Sequence, residues 1–265
     1  MNLAPASTPA ADKRSLGSRL VNNITVTEGI FSLDFTWEGP APRAGQFFMI
    51  RPKRGSLFLA RPVSVARWEP ERLLGFLIAR RGRGTGELLD MRPGEEADLT
   101  GPLGNGWGDF PLPKGMAALV GGGAGLAPLG AFAGELGGGA YDLYAGFRTR
   151  FSQAGERNSF LGPAVFARRL TISTEDGSEG LKGRIPDFFD PAGYAAVYAC
   201  GPEPMLKAVA ERCKAAAVPC FVSMERRMAC GVGACLGCTV KTVRGNRRCC
   251  ADGPVFPAGD LVFDE

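Results

Sequence analysis

Five of the eight cysteines fall between Cys230 and Cys250, and a segment that crowded with thiols can fold in few ways. Three of them form the run Cys230-Gly-Val-Gly-Ala-Cys235-Leu-Gly-Cys238, and Cys249 and Cys250 follow after a basic stretch. The four-then-two spacing is that of plant-type loops in which three thiolates hold a 2Fe-2S cluster and a distant fourth closes it. Glycines at 231, 233 and 237 suit a backbone that must turn sharply around a cluster. Four thiolates also make structural zinc sites, but these usually show two CxxC knuckles, and only one is present. Buried thiols with no ligand role are a poor account of so dense a run.

Charge and composition narrow the rest. Four thiolates around two ferric ions and two sulfides carry a formal charge of about −2, or about −3 once reduced, so cations are expected nearby. Arg226, Arg227, Lys241, Arg244, Arg247 and Arg248 occupy 226–248 with no Asp or Glu among them, which fits either charge compensation or a docking patch. The chain contains no histidine, which excludes Ser-His-Asp and Cys-His nucleophiles and a histidine general base. A net charge of +4 over 265 residues is too small to make nucleic acid the expected partner. The longest uncharged stretch, 116–134, is broken by glycines and Pro128 and does not read as a membrane span. The N-terminal residues have no secretory apolar core, so the expected location is cytoplasmic, where thiols stay reduced.

Along the chain the texture changes twice. Residues 1–17 read as a disordered tail. Short β-branched and aromatic runs at 24–27, 31–37, 46–51, 62–68, 73–79 and 97–100 predict an antiparallel barrel or sandwich over 18–113, with one helix at 85–91. Over 114–222 strands at 117–120, 141–147, 170–174 and 196–199 alternate with helices at 126–136 and 203–216, which predicts a parallel sheet covered by helices. Residues 223–265 form the cysteine-rich lobe.

Two glycine-bearing loops in the α/β part each follow a strand and precede a helix. These are Gly121-Gly-Gly-Ala-Gly125 and Cys200-Gly-Pro-Glu-Pro-Met205. In an open parallel sheet both fall at the carboxyl ends of strands, where nucleotides bind. The first departs from G-x-G-x-x-G, since Leu126 stands at the third glycine, and alone it reads equally as a tight turn. In the barrel, Arg61-Pro62-Val63-Ser64 and Gly82-Arg83-Gly84-Thr85-Gly86 offer a guanidinium, hydroxyls and backbone N–H groups to a diphosphate, although each motif is common.

In order, RPVS, GRGTGELL, GPLGNGW, GGGAGLAPL, TEDGSEGLKG, CGPEPML, MERRMACGVGACLGC and CADGPVF resemble one family. It is that of the electron-transfer subunits of NAD-dependent dihydroorotate dehydrogenases, within the ferredoxin-reductase superfamily, and the likeness runs from about residue 20 to the C-terminus. It implies an FAD-binding antiparallel β-barrel, a parallel-sheet NAD-binding domain and a small C-terminal 2Fe-2S lobe. By position, Arg61, Pro62, Val63, Ser64, Leu77, Ile78, Ala79, Gly84 and Thr85 would contact FAD. Gly121, Gly122, Gly123, Gly125, Cys200, Gly201 and Pro202 would face NAD, with Cys200 near the nicotinamide. Cys230, Cys235 and Cys238 would be cluster ligands, and Cys250 the fourth, because a single residue separates it from Asp-Gly-Pro. Two departures stand out: Cys249 is an extra thiol, and Val63 occupies a position that is often aromatic in the wider superfamily.

The same resemblance implies a partner, an FMN-containing dihydroorotate dehydrogenase catalytic subunit, in a heterotetramer of two of each. Electrons from dihydroorotate would cross the cluster to FAD and leave on NAD+, with NAD expected over NADP even though Arg148 and Arg150 follow the second α/β strand. A related reductase subunit of a hydrogenase, sulfide dehydrogenase or ferredoxin:NADP+ oxidoreductase is the nearest alternative. A zinc-stabilised nucleotide-binding regulator is the alternative of another class.

Overall fold

The computed structural model of the chain describes residues 14–27, 29–69, 72–150 and 166–263. Six strands close the first unit: β1 (Arg14–Thr27), β2 (Ile30–Thr36), β3 (Phe47–Pro52), β4 (Arg61–Glu69), β5 (Leu73–Ala79) and β6 (Glu96–Leu103). They are antiparallel throughout, in the order β1-β2-β5-β4-β3-β6, and β6 returns to β1. Of the two expected architectures, the barrel is the one formed. Alternation explains the closure: Leu33 and Phe35, Phe48 and Ile50, Val63 and Val65, and Leu74, Phe76 and Ile78 all point inward. Trp37 caps this interior with its ring edge-on to Phe48 at 4.9 Å. The short helix α1 (Arg83–Leu89) covers one end of the barrel with Leu88 and Leu89.

Strand β1 begins earlier than the sequence predicts. Arg14 to Gly17 pair with Gly101 to Asp98, so part of the expected tail is a barrel strand, held by backbone pairing in a run whose polar side chains hide the strand period.

The second unit is a seven-stranded sheet. Its strands in chain order are β7 (Ala117–Gly122), β8 (Tyr141–Phe147), β9 (Arg169–Thr174), β10 (Leu181–Lys182), β11 (Ala196–Cys200), β12 (Cys220–Ser223) and, from the C-terminal lobe, β15 (Val255–Pro257). Between β12 and β15 lie the hairpin strands β13 (Thr239–Thr242) and β14 (Gly245–Arg248). The sheet order is β10-β9-β8-β7-β11-β12-β15, parallel except for β15. Helices α2 (Leu126–Leu136) and α3 (Glu203–Ala215) are its long helices among the described residues, and the turn α4 (Cys249–Asp252) belongs to the lobe. β7 and β11 are buried along both faces, the pattern of central parallel strands. The strand order reverses between them, so their carboxyl ends, Gly122 and Cys200, flank a topological switch point.

One core ties the three parts together. Phe47, Met49 and Leu103 from the barrel pack with Val120 and Val222 of the sheet and with Cys238, Cys249 and Cys250 of the lobe. Strand β3 therefore serves two cores, with Phe48 and Ile50 inside the barrel and Phe47 and Met49 outside it. Asn105 stitches the same junction: its Nδ2 donates to the Val255 carbonyl at 2.8 Å, and its Oδ1 accepts from the Val255 N–H at 2.9 Å. Two motifs 150 residues apart, GPLGNGW and DGPVF, thus meet as one hydrogen-bonded unit. Among the described residues no helix is long and apolar enough to cross a membrane.

Candidate cluster site and nucleotide cleft

The cysteine loop links β12 to β13 and lies against the barrel. Gly231 adopts a φ of +69°, and a Cβ there would stand 2.7 Å from the Met49 side chain, so only glycine brings the loop this close. Gly233, at φ +84°, turns its N–H onto the Cys250 sulfur at 3.1 Å. The Val232 N–H points at the Cys230 sulfur and the Cys250 N–H at the Cys238 sulfur, each at 3.4 Å. Peptide donors aimed at sulfur favour thiolates over thiols.

The thiols come in two pairs, Cys230 with Cys235 and Cys238 with Cys250, each in hydrogen-bond contact. Among the described residues no three metal-type side chains gather as ligands of a single ion. A mononuclear zinc site needs four donors around one point, whereas a two-iron cluster divides them two and two. Burial opposes ionisation of Cys230, but N–H groups of Cys235, Val232 and Ala234 outweigh it and hold the thiol down to about 6. Burial and the neighbouring Cys238 push Cys250 up to about 12. Cys249 faces away: its Sγ donates to the Met224 carbonyl at 3.0 Å inside the shared core.

The basic stretch is less of a free counter-charge than its sequence predicts. Arg226 pairs with Glu203, Arg248 with Asp252 and Arg244 with Asp260. All three carboxylates come from outside the 226–248 interval, which is why the sequence interval looked unneutralised.

A cleft of about 930 Å³ opens between the barrel and the carboxyl ends of the parallel strands. Gly122, Gly123 and Pro202 line its sheet side and Ala79 its barrel side. The remaining expected NAD residues lie beneath this surface. A Cβ on Gly121 would stand 2.2 Å from Leu126 Cδ2, and one on Gly125 would stand 2.3 Å from the Cys200 carbonyl oxygen. Gly201 packs on Met205 in the same way. Cys200 is 2% exposed; burial, reinforced by the Glu225 charge, pushes its thiol up, against the pull of a hydrogen bond with Ser223. It is a packing residue in its thiol form.

The expected FAD residues divide by strand face. Val63 and Ile78 are barrel core, so they offer a ligand only backbone, while Pro62, Ser64 and Leu77 lie on the partly exposed face. The Arg61 guanidinium lies on Gly84, where a Cβ would overlap it, and donates to the Leu59 carbonyl at 3.0 Å. Thr85 Oγ1 accepts the Arg81 N–H at 2.8 Å and that of Gly82 at 3.3 Å, which closes the loop before α1. Sequence reasoning missed Arg80 and Arg81, which line the barrel side of the cleft. Their signal was available: two adjacent arginines at the end of a strand, directly before the glycine loop. Of the two arginines after β8, Arg150 is turned to the Ser178 carbonyl at 3.0 Å, so the TEDGSEGLKG segment holds it.

Comparisons with known proteins agree with this architecture. Residues 225–262 match the iron-sulfur cluster binding domain of dihydroorotate dehydrogenase B. The dihydroorotate dehydrogenase B (NAD(+)) electron transfer subunit of Clostridium acetobutylicum is 39% identical, over 93% of this chain and 97% of that one. The subunit of the same name from Clostridium perfringens is 41% identical over 92% and 97%. Among solved structures, an NADH-dependent reduced ferredoxin-NADP oxidoreductase involved in flavin-based electron bifurcation superposes with a TM-score of 0.76 at 27% identity, covering 98% of this chain and 92% of that chain. A ferredoxin reductase of carbazole 1,9a-dioxygenase, at 23% identity and a TM-score of 0.65, shares the fold over 80% of this chain and 68% of its own. With identities near 40% sustained across almost the whole of both chains, the protein belongs to the family of dihydroorotate dehydrogenase B (NAD(+)) electron transfer subunits.

Proposed function

We propose that the protein conducts electrons from an FMN-containing catalytic subunit that oxidises dihydroorotate, through a 2Fe-2S cluster and FAD, to NAD+. The working complex would hold two copies of each subunit in the cytoplasm. The observation that carries this reading is the single core in which cluster-loop cysteines, barrel strand β3 and sheet strands β7 and β12 touch. Such packing supports three redox sites fixed at one junction in one chain. Nicotinamide takes electrons as hydride and iron-sulfur centres take them singly, and bound FAD supplies the chemistry that joins the two.

In this reading Cys230 and Cys235 hold one iron and Cys238 and Cys250 the other. The two thiol pairs and the N–H groups on their sulfurs support the assignment, and the Met224 contact of Cys249 argues against Cys249 as a ligand. The barrel, 14–113, would present Pro62, Ser64 and Leu77 to the flavin, with Arg61 and the loop before α1 toward its diphosphate. The α/β unit, 114–222, would receive NAD over Gly122, Gly123 and Pro202, and the lobe, 223–265, would carry the cluster. No residue at the cleft is required as a substrate base, since dihydroorotate is placed on the partner.

The test is anaerobic purification with the catalytic partner, followed by iron and flavin quantification and reduction of NAD+ by dihydroorotate. About two irons and one FAD per chain are expected. A colourless, zinc-bearing chain overturns the reading, as does a loaded complex unable to pass electrons from dihydroorotate to NAD+.

A further inference from the structure

Arg248 stands at the end of β14, directly before the two adjacent cysteines, and it makes an unusually closed contact with Asp252. Its backbone N–H donates to Asp252 Oδ2 at 2.7 Å. Its side chain turns back to the same carboxylate, with Nε to Oδ2 at 2.9 Å and Nη2 to Oδ1 at 3.1 Å. Three donors on one carboxylate fix the guanidinium plane. Nη1 lies outside that fork, and it stands 3.4 Å from the point a Cβ of Gly233 would occupy. The Gly233 N–H is the donor to the Cys250 sulfur, and the Ala251 methyl closes over the same glycine, 2.9 Å from that Cβ point. Arg248 and Ala251 thus cover the peptide whose N–H reaches the Cys250 sulfur.

Charge follows the same geometry. Asp252 takes Nε and Nη2, and Nη1 is left on the side of the cluster loop, beside Gly233. Each electron added to a cluster makes its charge more negative, and a cation fixed beside the ligands stabilises that state. Arg226 and Arg244 are engaged by Glu203 and Asp260 instead.

We infer that Arg248, clamped by Asp252, is a positioning residue for the cluster: it holds the Gly233 N–H on the Cys250 sulfur and raises the reduction potential by keeping a cation at the Cys238–Cys250 pair. This rests on the cluster reading proposed above, and the experiment separates the two. The full-length protein is purified anaerobically as wild type, R248Q, R248K and D252N, and each is examined by EPR-monitored redox titration, iron content and circular dichroism. A wild-type chain that gives no 2Fe-2S signal on reduction overturns both ideas. With the wild-type signal present, the expected result is a midpoint shifted negative in R248Q, a smaller shift in R248K, which keeps the charge but loses the fork, and a positive shift in D252N. R248Q with full iron and an unmoved or more positive midpoint overturns the inference. Should R248Q lose its iron, D252N decides: a positive shift supports the inference, and an unmoved or negative midpoint overturns it. Iron lost from both while circular dichroism stays native, and retained by R248K, supports the role assigned to the charge; iron lost equally from R248K overturns it.

Discussion

The cluster loop and the Gly121–Gly125 loop both depend on glycine, the first for positive φ as well as close packing, the second mainly for close packing. In the cluster loop Gly231 and Gly233 have positive φ, and peptide N–H groups turn toward sulfur, where in the proposed reading the cysteine side chains supply the ligands. In the nucleotide loop three of the four glycines, Gly121, Gly122 and Gly125, are needed because a Cβ would strike Leu126, Pro202 or the Cys200 carbonyl. Only Gly123, at φ +54° with open space around it, resembles the first kind. A loop that binds through its own side chains declares its chemistry in sequence. A loop built by leaving side chains out declares only that it is tight.

The sharpest way to break this contrast is to exchange ligand thiols. In Cys250→Ser the cluster is expected to be lost, with iron content and the visible absorbance of the purified chain falling to near zero, while Cys249→Ser keeps both. The geometry demands this asymmetry, since the Cys250 sulfur accepts from the Gly233 N–H and the Cys250 N–H reaches the Cys238 sulfur, while the Cys249 sulfur donates to the Met224 carbonyl. Equal iron loss from both variants would show that the lobe needs Cys249 as a ligand or as an indispensable core thiol.

Next in size is Gly125→Ala. The added methyl meets backbone, which yields little, so overpacking should cost about 1–3 kcal/mol of stability. NAD(H) affinity should fall by about tenfold, equivalent to about 1.4 kcal/mol, as the Cys200–Pro202 loop is displaced. Iron and flavin content should stay at wild-type levels, which equilibrium binding and metal analysis on one preparation will check. Gly123→Ala provides the contrast, because its penalty is left-handed backbone alone, about 1 kcal/mol.

The same distinction governs what could be read before the fold was known. The cleanly alternating strand Phe31 to Trp37, the apolar run Leu73 to Ala79 and the central strands β7 and β11 were legible because periodicity and burial act within one segment. Strands β12 and β15 were not: each is three or four residues long and exists only through pairing with a distant partner, Val222 with Phe256 for example. Residues 14–17 of β1 were lost for the same reason. At the sites, cysteine spacing located the cluster loop, and the structure separates Cys250 from Cys249 by where each sulfur points. For the flavin, sequence position named Val63 and Ile78 with their neighbours, but only the register of β4 and β5 reveals that these two face inward. The carboxylates that neutralise Arg226, Arg244 and Arg248 lie beyond the basic run, so net charge along the sequence overstated the patch.

Cys200 offers a gentler probe of the tight loop. Its thiol is raised by burial, so the folded chain keeps it protonated above the ordinary thiol range of about 8.5. The stability this contributes is fully present below about pH 8.5 and is lost as pH rises toward the folded value, because the unfolded chain gives up the proton first. The slope is at most about 1.4 kcal/mol per pH unit. Urea midpoints between pH 8 and pH 10 should fall less steeply in Cys200→Ala than in wild type. Peptide mapping after iodoacetamide treatment at pH 9 should find Cys200 labelled only in denatured chain, and labelling of the folded chain at the rate of a free thiol would show that the loop opens.

The smallest effect is expected where a side chain, not a missing one, orders a phosphate-type loop. Thr85 Oγ1 accepts the N–H groups of Arg81 and Gly82 and donates to the Gly82 carbonyl, so one hydroxyl shapes the turn that the glycines of the other loops shape by absence. Thr85→Ala removes it at a partly exposed position, where water can take over some of the bonds, and should cost about 1 kcal/mol. FAD affinity, measured by fluorescence on reconstituted chain, should weaken about fivefold in consequence, with Thr85→Ser restoring most of it because the hydroxyl alone is responsible. An equal loss in the serine variant would mean that the methyl group, packed in the loop, holds the turn instead. In that case the barrel loop would belong with Gly121–Gly125 as a loop built by packing, and the cluster loop would stand alone in being shaped by the groups that bind.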